Sequence, residues 1–405
     1  MLSYSYILNF LIRMKHAVGM SFLFLLLLLS LTACSAVDED LLPCAPAPNT
    51  LTTVRFVYDY NMQFTDLFDR HAGSVYLYVF DEDSVMLFRR TAHRADMRPG
   101  MIDFSMTFDT LDIRPGKTYH MVAMAQGNHI GDVAAQETPG FQLQNEMVAG
   151  KSRISDYIIK LDRDEDGNYD FGVVNYKDTY GNNQQMIDTV WSTKPDEVQT
   201  VTIPTTAYTP SPVKLPDVKV EVEIPMMRLT NSVTVNLVNS SFTEATDPES
   251  YRLLVYFPSG NGTIDFTGTV YSYQPLYYQT LRKQTVPYIP GNQRSRADGN
   301  LYAVQGIFGV SRLQMNDESS LQIRDPQTND LITEIPDFSA FLANAFNDNT
   351  NIGGQEFLDR EYNFEVTLGV NDLNPSPDPE NNWAYIEIYI KVLNWYVRIN
   401  NVTFS

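Results

Sequence analysis

Cysteine and histidine are scarce in this sequence, and their scarcity removes several classes of function. Two cysteines, Cys34 and Cys44, occur among 405 residues, so no disulfide framework can form. The five histidines contain no H-E-x-x-H motif and no close pair, which argues against a zinc site. G-x-S-x-G is also missing. Without a catalytic constellation, we expect a protein that is not an enzyme and takes no small-molecule substrate.

Basic residues are also in short supply. The chain has 29 Lys and Arg against 49 Asp and Glu, a formal net charge of −20. Residues 1–33 hold two of the basic residues and no acid, so their removal would make the balance more acidic still. Such a surface repels phosphate backbones and anionic headgroups. We therefore expect no nucleic-acid partner, and any membrane attachment must come from a covalent lipid.

The longest apolar run, Phe22 to Leu31, is too short to span a bilayer core of about 30 Å. It follows Lys15 and His16, as the apolar region of a secretory signal follows its basic region. Residues 1–33 are therefore predicted to be a signal peptide. Either Met1 or Met14 could be the start of translation. Met14 is a plausible start because the residues before it add nothing that the signal needs.

The end of this signal, Leu31-Thr32-Ala33-Cys34, resembles the bacterial lipobox. The resemblance implies cleavage before Cys34, an S-diacylglycerol group on its thiol and an N-acyl chain on the new amino group. This lipid is the only cofactor that we expect. Cys44 would then remain as a single thiol in the tether.

Residues 34–50 form an acidic, proline-rich tether. Asp38, Glu39 and Asp40 resemble the surface-export signal of Bacteroidetes lipoproteins, which implies a lipid-anchored protein on the outer face of the outer membrane. A merely solvated acidic spacer is the alternative. Three prolines stiffen the rest of the tether.

Beyond the tether, the sequence predicts an all-β protein. Tyr (24) and Phe (22) are abundant, and apolar residues alternate with polar ones, as in Val54, Phe56 and Tyr58 or in Val233, Val235 and Leu237. This pattern predicts one β-sandwich in residues 51–228 and another in residues 229–405. Residues 128–200 look loop-rich, and the best helix candidate is the stretch IPDFSAFLANAF.

Three stretches resemble the Bacteroidetes fimbrial-anchor family, the lipoprotein minor subunits of fimbriae. They are SVYLYVFDED, GQEFLDREYNFEVTL and YIKVLNWYVRINNVTF. The resemblance implies two tandem transthyretin-like β-sandwich domains and a role at the base of a fimbrium. It also implies fimbrial shaft subunits as partners, bound by β-strand addition. In the stalk subunits of such fimbriae a protease cuts after a basic residue, but no Lys or Arg lies between Cys34 and Val54. That difference favours a subunit that stays tethered.

The C-terminal stretch NWYVRINNVTFS is the candidate for contact with the next subunit, through Trp395, Val397 and Ile399. The alternative is an ordinary strand that packs these side chains inward.

A calcium loop is a weaker candidate. Asp162, Asp164, Asp166 and Asp170 occupy positions one, three, five and nine of an EF-hand loop. Position twelve should be Glu but is Val173, and the flanks resemble strands rather than helices. An acidic β-hairpin explains the same residues.

A second function would be glycan binding in a nutrient-uptake system. Tyr271, Tyr273, Tyr277 and Tyr278, if exposed, could stack on sugar rings. The alternative is that they lie on a sheet face or at an interface.

Overall fold

The structure is a computed structural model. It describes residues 49–98, 100, 103–127, 141–161, 163–165, 172–174, 189–195, 199–204, 217–239, 241–271, 274–280, 282–288, 301–345, 352–369, 388–392 and 395–399. The chain divides into two compact units, Met1–Asn49 with Thr206–Val218 and Thr50–Thr205 with Lys219–Ser405. In the first unit, the Asn49 amide donates to Asp217 Oδ1 at 3.1 Å and the Val218 amide to the Asn49 carbonyl at 2.9 Å. The second unit contains the sheets described below.

Strands dominate the described residues, which confirms the predicted all-β class. They are β1 Thr50–Val57, β2 Ala72–Phe80, β3 Met86–His93, β4 Met106–Phe108, β5 Thr118–Gly127, β6 Phe141–Leu143, β7 Ile158–Leu161, β8 Arg163–Glu165, β9 Gly172–Val174, β10 Val190–Thr193, β11 Gln199–Thr202, β12 Val218–Arg228, β13 Thr230–Val238, β14 Arg252–Phe257, β15 Thr263–Asp265, β16 Val270–Tyr271, β17 Leu276–Gln279, β18 Arg282–Tyr288, β19 Leu301–Ser311, β20 Ser320–Arg324, β21 Leu331–Ile335, β22 Asn363–Gly369, β23 Ile388–Val392 and β24 Trp395–Ile399. The α-helices are α1 Phe68–His71, α2 Phe338–Ala345 and α3 Gln355–Arg360.

An eight-stranded sheet is built from the first half of the chain. Its strand order is β3-β2-β5-β10-β12-β1-β4, and β11 also pairs with β5. Alternate residues of these strands point into one core, which includes Val54, Phe56, Leu77, Ala123 and Trp191. The predicted alternation of β1 is therefore confirmed, and so is the β2–β3 hairpin, which turns at residues 81–85.

A six-stranded sheet belongs to the second half, with the order β18-β19-β13-β22-β23-β24. Strand β13 lies inside it, antiparallel to β19 and parallel to β22. Val233, Val235 and Leu237 are fully buried, as their alternation predicts. The sheet has two ends, at β18 and at β24.

The two remaining sheets combine segments from both halves of the chain. Their orders are β21-β20-β14-β17-β9-β8 and β16-β15-β7-β6. Strand β9 pairs in parallel with β17, and β7 pairs with β15. Residues 128–200 were predicted to be loop-rich, and about half of the residues described there lie in strands β6 to β10 and the start of β11, with turns and loops between them. The domain division after residue 228 stays a prediction.

Two helices in the second half cover the sheets. Helix α2 confirms the sequence prediction. Helix α3 was not predicted, because its six residues are too few to establish a helical period. It buries Phe357 and Leu358, and it begins after Gly354, whose φ of +60° favours glycine.

Candidate functional site

The predicted anchoring residues lie outside the described part of the chain. They are Cys34, the export residues Asp38, Glu39 and Asp40, and the second thiol Cys44. Lipidation and export therefore stay predictions. Among the described residues, no helix is both long and apolar enough to cross a bilayer.

The calcium candidate is only partly described. Asp162, Asp166 and Asp170 fall outside the described residues, while Asp164 lies in β8 opposite Val173 of β9. Part of the acidic segment thus lies in an antiparallel strand pair, as the acidic β-hairpin alternative predicts. Within the described ranges, no group of three or more His, Cys, Asp or Glu side chains could hold a metal ion. Calcium binding stays a prediction.

Two of the four tyrosines proposed for glycan stacking are buried in the structure. Tyr278 is fully buried in β17, where its hydroxyl donates to Asn261 Oδ1 at 2.6 Å. Tyr277 is also buried, and its ring stacks on Tyr256 at 4.5 Å between centroids. For these two rings the alternative is confirmed, because both lie on the faces of a sheet and are buried there. The side chains of Tyr271 and Tyr273 are not among those described.

Strand addition needs an open sheet edge, which the end strands of the four sheets can offer. Strands β4, β6, β8 and β16 have only two or three residues. Strand β18 contains Pro287, which lacks an amide donor. Strand β21 has a register shift, with Ile332 as the extra residue. Strand β24 is regular throughout, and β3 is regular from Phe88 to His93, after a register shift in which Leu87 is the extra residue. Strand β11 has four residues and pairs, among the described strands, with β5 alone, so it is a further, shorter edge.

Strand β24 carries the residues that the sequence proposed for subunit contact. Trp395, Val397 and Ile399 lie opposite Val392, Ile390 and Ile388 of β23, in the order named. No described strand pairs with the other side of β24. The position is the one that strand addition requires, and the contact itself stays a prediction.

Strand β3 is an open edge that was not predicted from the sequence. A turn covers only its start, where the Met86 amide donates to the Ser152 carbonyl at 2.8 Å and the Met86 carbonyl accepts from the Gly150 amide at 2.7 Å. From Phe88 to His93, no described backbone pairs with the outer side of β3. The run MLFRR did indicate a strand, but it gives no signal that this strand ends a sheet.

The eight-stranded sheet curls until its two end strands face each other. The ring of Phe88 in β3 lies 5.6 Å from the ring of Phe108 in β4. The Arg90 guanidinium carbon lies 5.3 Å from the Phe108 ring, and its Nη2 donates to Asp112 Oδ2 at 3.1 Å. Side chains therefore connect β3 to β4, while no described backbone group pairs with the outer side of β3 from Phe88 to His93.

Arg89 extends on the other face of β3. It donates a hydrogen bond to the hydroxyl of Tyr78, and burial raises the pKa of that tyrosine while the arginine partly offsets the shift. Both Arg89 and Arg90 are exposed. The edge thus presents one guanidinium on each face of the strand.

Comparison with known proteins identifies the family. A family model for fimbrillin-A associated anchor proteins Mfa1 and Mfa2 matches residues 44–401. No curated protein sequence matches the chain.

Solved structures show the same fold. A candidate adhesin of Bacteroides thetaiotaomicron is 20% identical, with a TM-score of 0.61, over 88% of this chain and 99% of that one. A candidate polysaccharide-binding protein of the same organism is 19% identical, with a TM-score of 0.60, over 87% and 98%. The fimbrial anchor protein Mfa2 of Porphyromonas gingivalis is 14% identical, with a TM-score of 0.52, over 86% and 99%.

These identities are low enough that the structural likeness establishes the fold alone. The family match is broader evidence, because it covers most of the sequence. It confirms the resemblance drawn from the three sequence stretches. The chain belongs to the fimbrillin-A associated anchor proteins, and it is a fimbria-associated protein of the cell surface.

Proposed function

We propose that this protein is the lipid-anchored base of a fimbrium on the outer face of the outer membrane. The observation that carries the proposal is the lipobox Leu31 to Cys34, placed before a chain that belongs to the fimbrial anchor family. The tether from Cys34 to Val54 has no Lys or Arg, so a protease that cuts after basic residues has no site there. The lipid would therefore remain attached to the folded protein.

The energetics favour a lipid of more than one chain. Each buried methylene contributes about 0.8 kcal/mol, and stable anchoring needs at least two chains. A diacylglycerol and an N-acyl chain on Cys34 meet that requirement. Cells grown with labelled palmitate should yield labelled protein, and the Cys34→Ala variant should carry no label.

Export to the outer leaflet is assigned to Asp38, Glu39 and Asp40. Replacing the three by Ala should leave palmitate incorporation intact and should protect the protein from protease added to whole cells. If the triple variant stays accessible to the protease, the acidic residues are only a solvated spacer.

Docking of the neighbouring subunit is assigned to the edge of β24. Backbone hydrogen bonds would supply affinity, and alternate side chains would supply specificity. Successive amides of a strand point to opposite sides, so either the Val397 or the Tyr396 amide faces the open side of β24. Of the variants Val397→Pro and Tyr396→Pro, one therefore removes an amide donor from that side. One of the two should fold normally and lose capture of sheared fimbriae. Retained capture by both variants would exclude this edge.

The proposed role is structural, with no reaction catalysed and no cofactor beyond the lipid. Chelation of divalent cations should therefore leave the melting temperature of the purified protein unchanged. A fall that calcium reverses, and that Asp164→Asn abolishes, would instead assign a calcium site to the β8–β9 segment.

A further inference from the structure

The β3 edge differs from the rest of the molecule in its charge. Residues 86–98 contain four arginines and a single acid, in a chain where acidic residues outnumber basic ones by 49 to 29. Arg89, Arg90 and Arg98 are exposed. A basic segment on an acidic protein therefore coincides with an open edge of the described sheets.

One of the four arginines is part of the fold. The Arg94 guanidinium donates to the carbonyls of Ala72 and Asp69 and lies over the Phe104 ring at 5.0 Å. These contacts end β3 and hold it against the start of β2. The strand is thus fixed in place, and it does not need a partner to keep its position.

We propose that the β3 edge, from Phe88 to His93, is a second docking edge that binds an acidic extended segment of another fimbrial subunit. The identity of the partner as a fimbrial subunit rests on the proposed function. Strand addition would continue the sheet beyond β3, and backbone hydrogen bonds would form along the six residues that no described strand covers.

The positions of the arginines define the chemistry of the added strand. Arg89 and Arg90 project on opposite faces of β3, because successive side chains of a strand alternate. A strand laid beside β3 would place two consecutive side chains on the same two faces. Consecutive carboxylates, as in Glu-Glu or Asp-Glu, would each meet one guanidinium, and opposite charges directly across a sheet are favourable.

The same charges disfavour a second copy of this chain as the occupant. Two β3 edges would bring the Arg89 and Arg90 pairs of both molecules together, and like charges across strands are destabilising. The rest of the protein is acidic and repels an acidic strand, so the local arginines would also guide its encounter with this edge.

Peptide binding to the detergent-solubilised full-length protein tests the edge. The probes are a fluorescent acidic peptide, TVTVEEVTVT, and its counterpart with Lys-Lys in place of Glu-Glu. The acidic peptide should bind the wild type, and Arg89→Glu/Arg90→Glu should weaken binding about tenfold, as two exposed cross-strand ion pairs allow. The double variant should then bind the Lys-Lys peptide. Arg89→Glu alone serves if the double variant does not fold.

The matched control is Lys160→Glu/Lys219→Glu, which reverses two exposed cations outside β3. It should bind the acidic peptide as the wild type does, apart from the small effect of net charge. Equal loss in the control, or no loss in the arginine variant, would overturn the proposal. So would an arginine variant that binds peptide normally but dimerises, since β3 would then only prevent self-pairing.

Backbone pairing is tested separately from charge. Of Thr91→Pro and Ala92→Pro, one removes an amide that pairs with β2 and the other an amide on the open side. The variant that removes the open-side amide should fold and should no longer bind the peptide. Normal binding by both variants would exclude strand addition at β3.

Sheared fimbriae identify the partner. The Arg89→Glu/Arg90→Glu variant should capture fewer fimbriae than the lysine control. If it loses the peptide but captures fimbriae normally, the partner is not a fimbrial subunit and that part of the inference is wrong. The β24 proline variants and the lipid label give their results independently, so failure at β3 can be distinguished from failure of the anchor proposal.

Discussion

Arg312 and Asp359 form a buried bidentate ion pair. Arg312 Nε donates to Asp359 Oδ1 at 2.8 Å and Nη2 to Oδ2 at 2.9 Å, and each residue is less than one-tenth exposed. Arg312 Nη1 donates to the Gly268 carbonyl, and Gln355 Nε2 donates to Asp359 Oδ1. The pair therefore fixes helix α3 to the residues that follow β19.

Removing one partner should be costly, because it leaves the other charge buried without compensation. We expect Asp359→Ala to lower the free energy of unfolding by about 3–5 kcal/mol, as measured by urea denaturation. The control is Glu356→Ala on the same helix, which removes a partly exposed pair with Arg360. That change should cost only about 0.3–0.5 kcal/mol. Equal losses of unfolding free energy in Asp359→Ala and Glu356→Ala would contradict the claim that burial makes the Arg312–Asp359 pair costly to break.

Tyr60 lies between two cations and links the end of β1 to helix α3. Its ring centroid is 4.2 Å from the Arg360 guanidinium carbon and 4.5 Å from Lys194 Nζ. Each contact is worth about 0.5–2 kcal/mol. Tyr60→Leu should therefore destabilise the protein by about 1–3 kcal/mol, whereas Tyr60→Phe, which keeps the ring, should stay close to wild type in the same assay. Similar losses in both variants would assign the effect to the hydroxyl.

Glu361 gives a pH dependence of defined sign. Its Oε1 accepts from the Tyr362 and Asn363 amides, and its buried Oε2 has no hydrogen-bond partner. Burial raises the pKa of Glu361 above its ordinary value, although the two amides and Arg228 partly offset this. At pH values between the unfolded and the folded pKa of Glu361, the folded protein therefore holds a proton that the unfolded chain has released. Above the folded-state pKa, the ionised carboxylate lowers the free energy of unfolding. This destabilisation is relieved as the pH falls through that pKa.

Unfolding at pH 7, 6 and 5 measures this effect. The free energy of unfolding of the wild type should rise relative to that of Glu361→Gln as the pH falls. Asp325 provides a control of opposite sign, because hydrogen bonds from the Thr328 and Gln327 amides lower its pKa. This effect lies at lower pH, so the series continues to pH 4 and 3: relative to Asp325→Asn, the wild type should lose stability as the pH falls from the ordinary aspartate value of 3.8 toward the lowered pKa. A flat difference for Glu361 would contradict the assigned shift.

Gly260 is required for two separate reasons. Its φ is +70°, and an added Cβ would overlap the Gln274 carbonyl oxygen. Gly150 has a similar φ of +73°, but nothing lies within 4 Å of its Cβ position. We expect Gly150→Ala to cost about 1 kcal/mol for the backbone conformation alone. Gly260→Ala should cost about 1–3 kcal/mol more from the overlap, in the same denaturation assay.

The sequence predicted the parts of the fold that depend on local pattern. Strands such as β13 and the β2–β3 hairpin were evident because alternate residues face a single core. The pairing of β7 with β15 and of β9 with β17 could not be predicted, since it joins segments about one hundred residues apart with no local signal of register. Whether β3 ends its sheet is likewise decided by tertiary pairing. The arginines were visible in the sequence, but their place on an open edge was not.

The most direct test of the anchor proposal is the location of fimbriae when the lipid site is removed. Cells expressing Cys34→Ala should release their fimbriae into the medium, while cells expressing the matched Cys44→Ala variant should keep them, as measured by the fraction of fimbrial protein that sediments with the cells. Fimbriae that remain cell-bound in the Cys34→Ala strain would contradict the account.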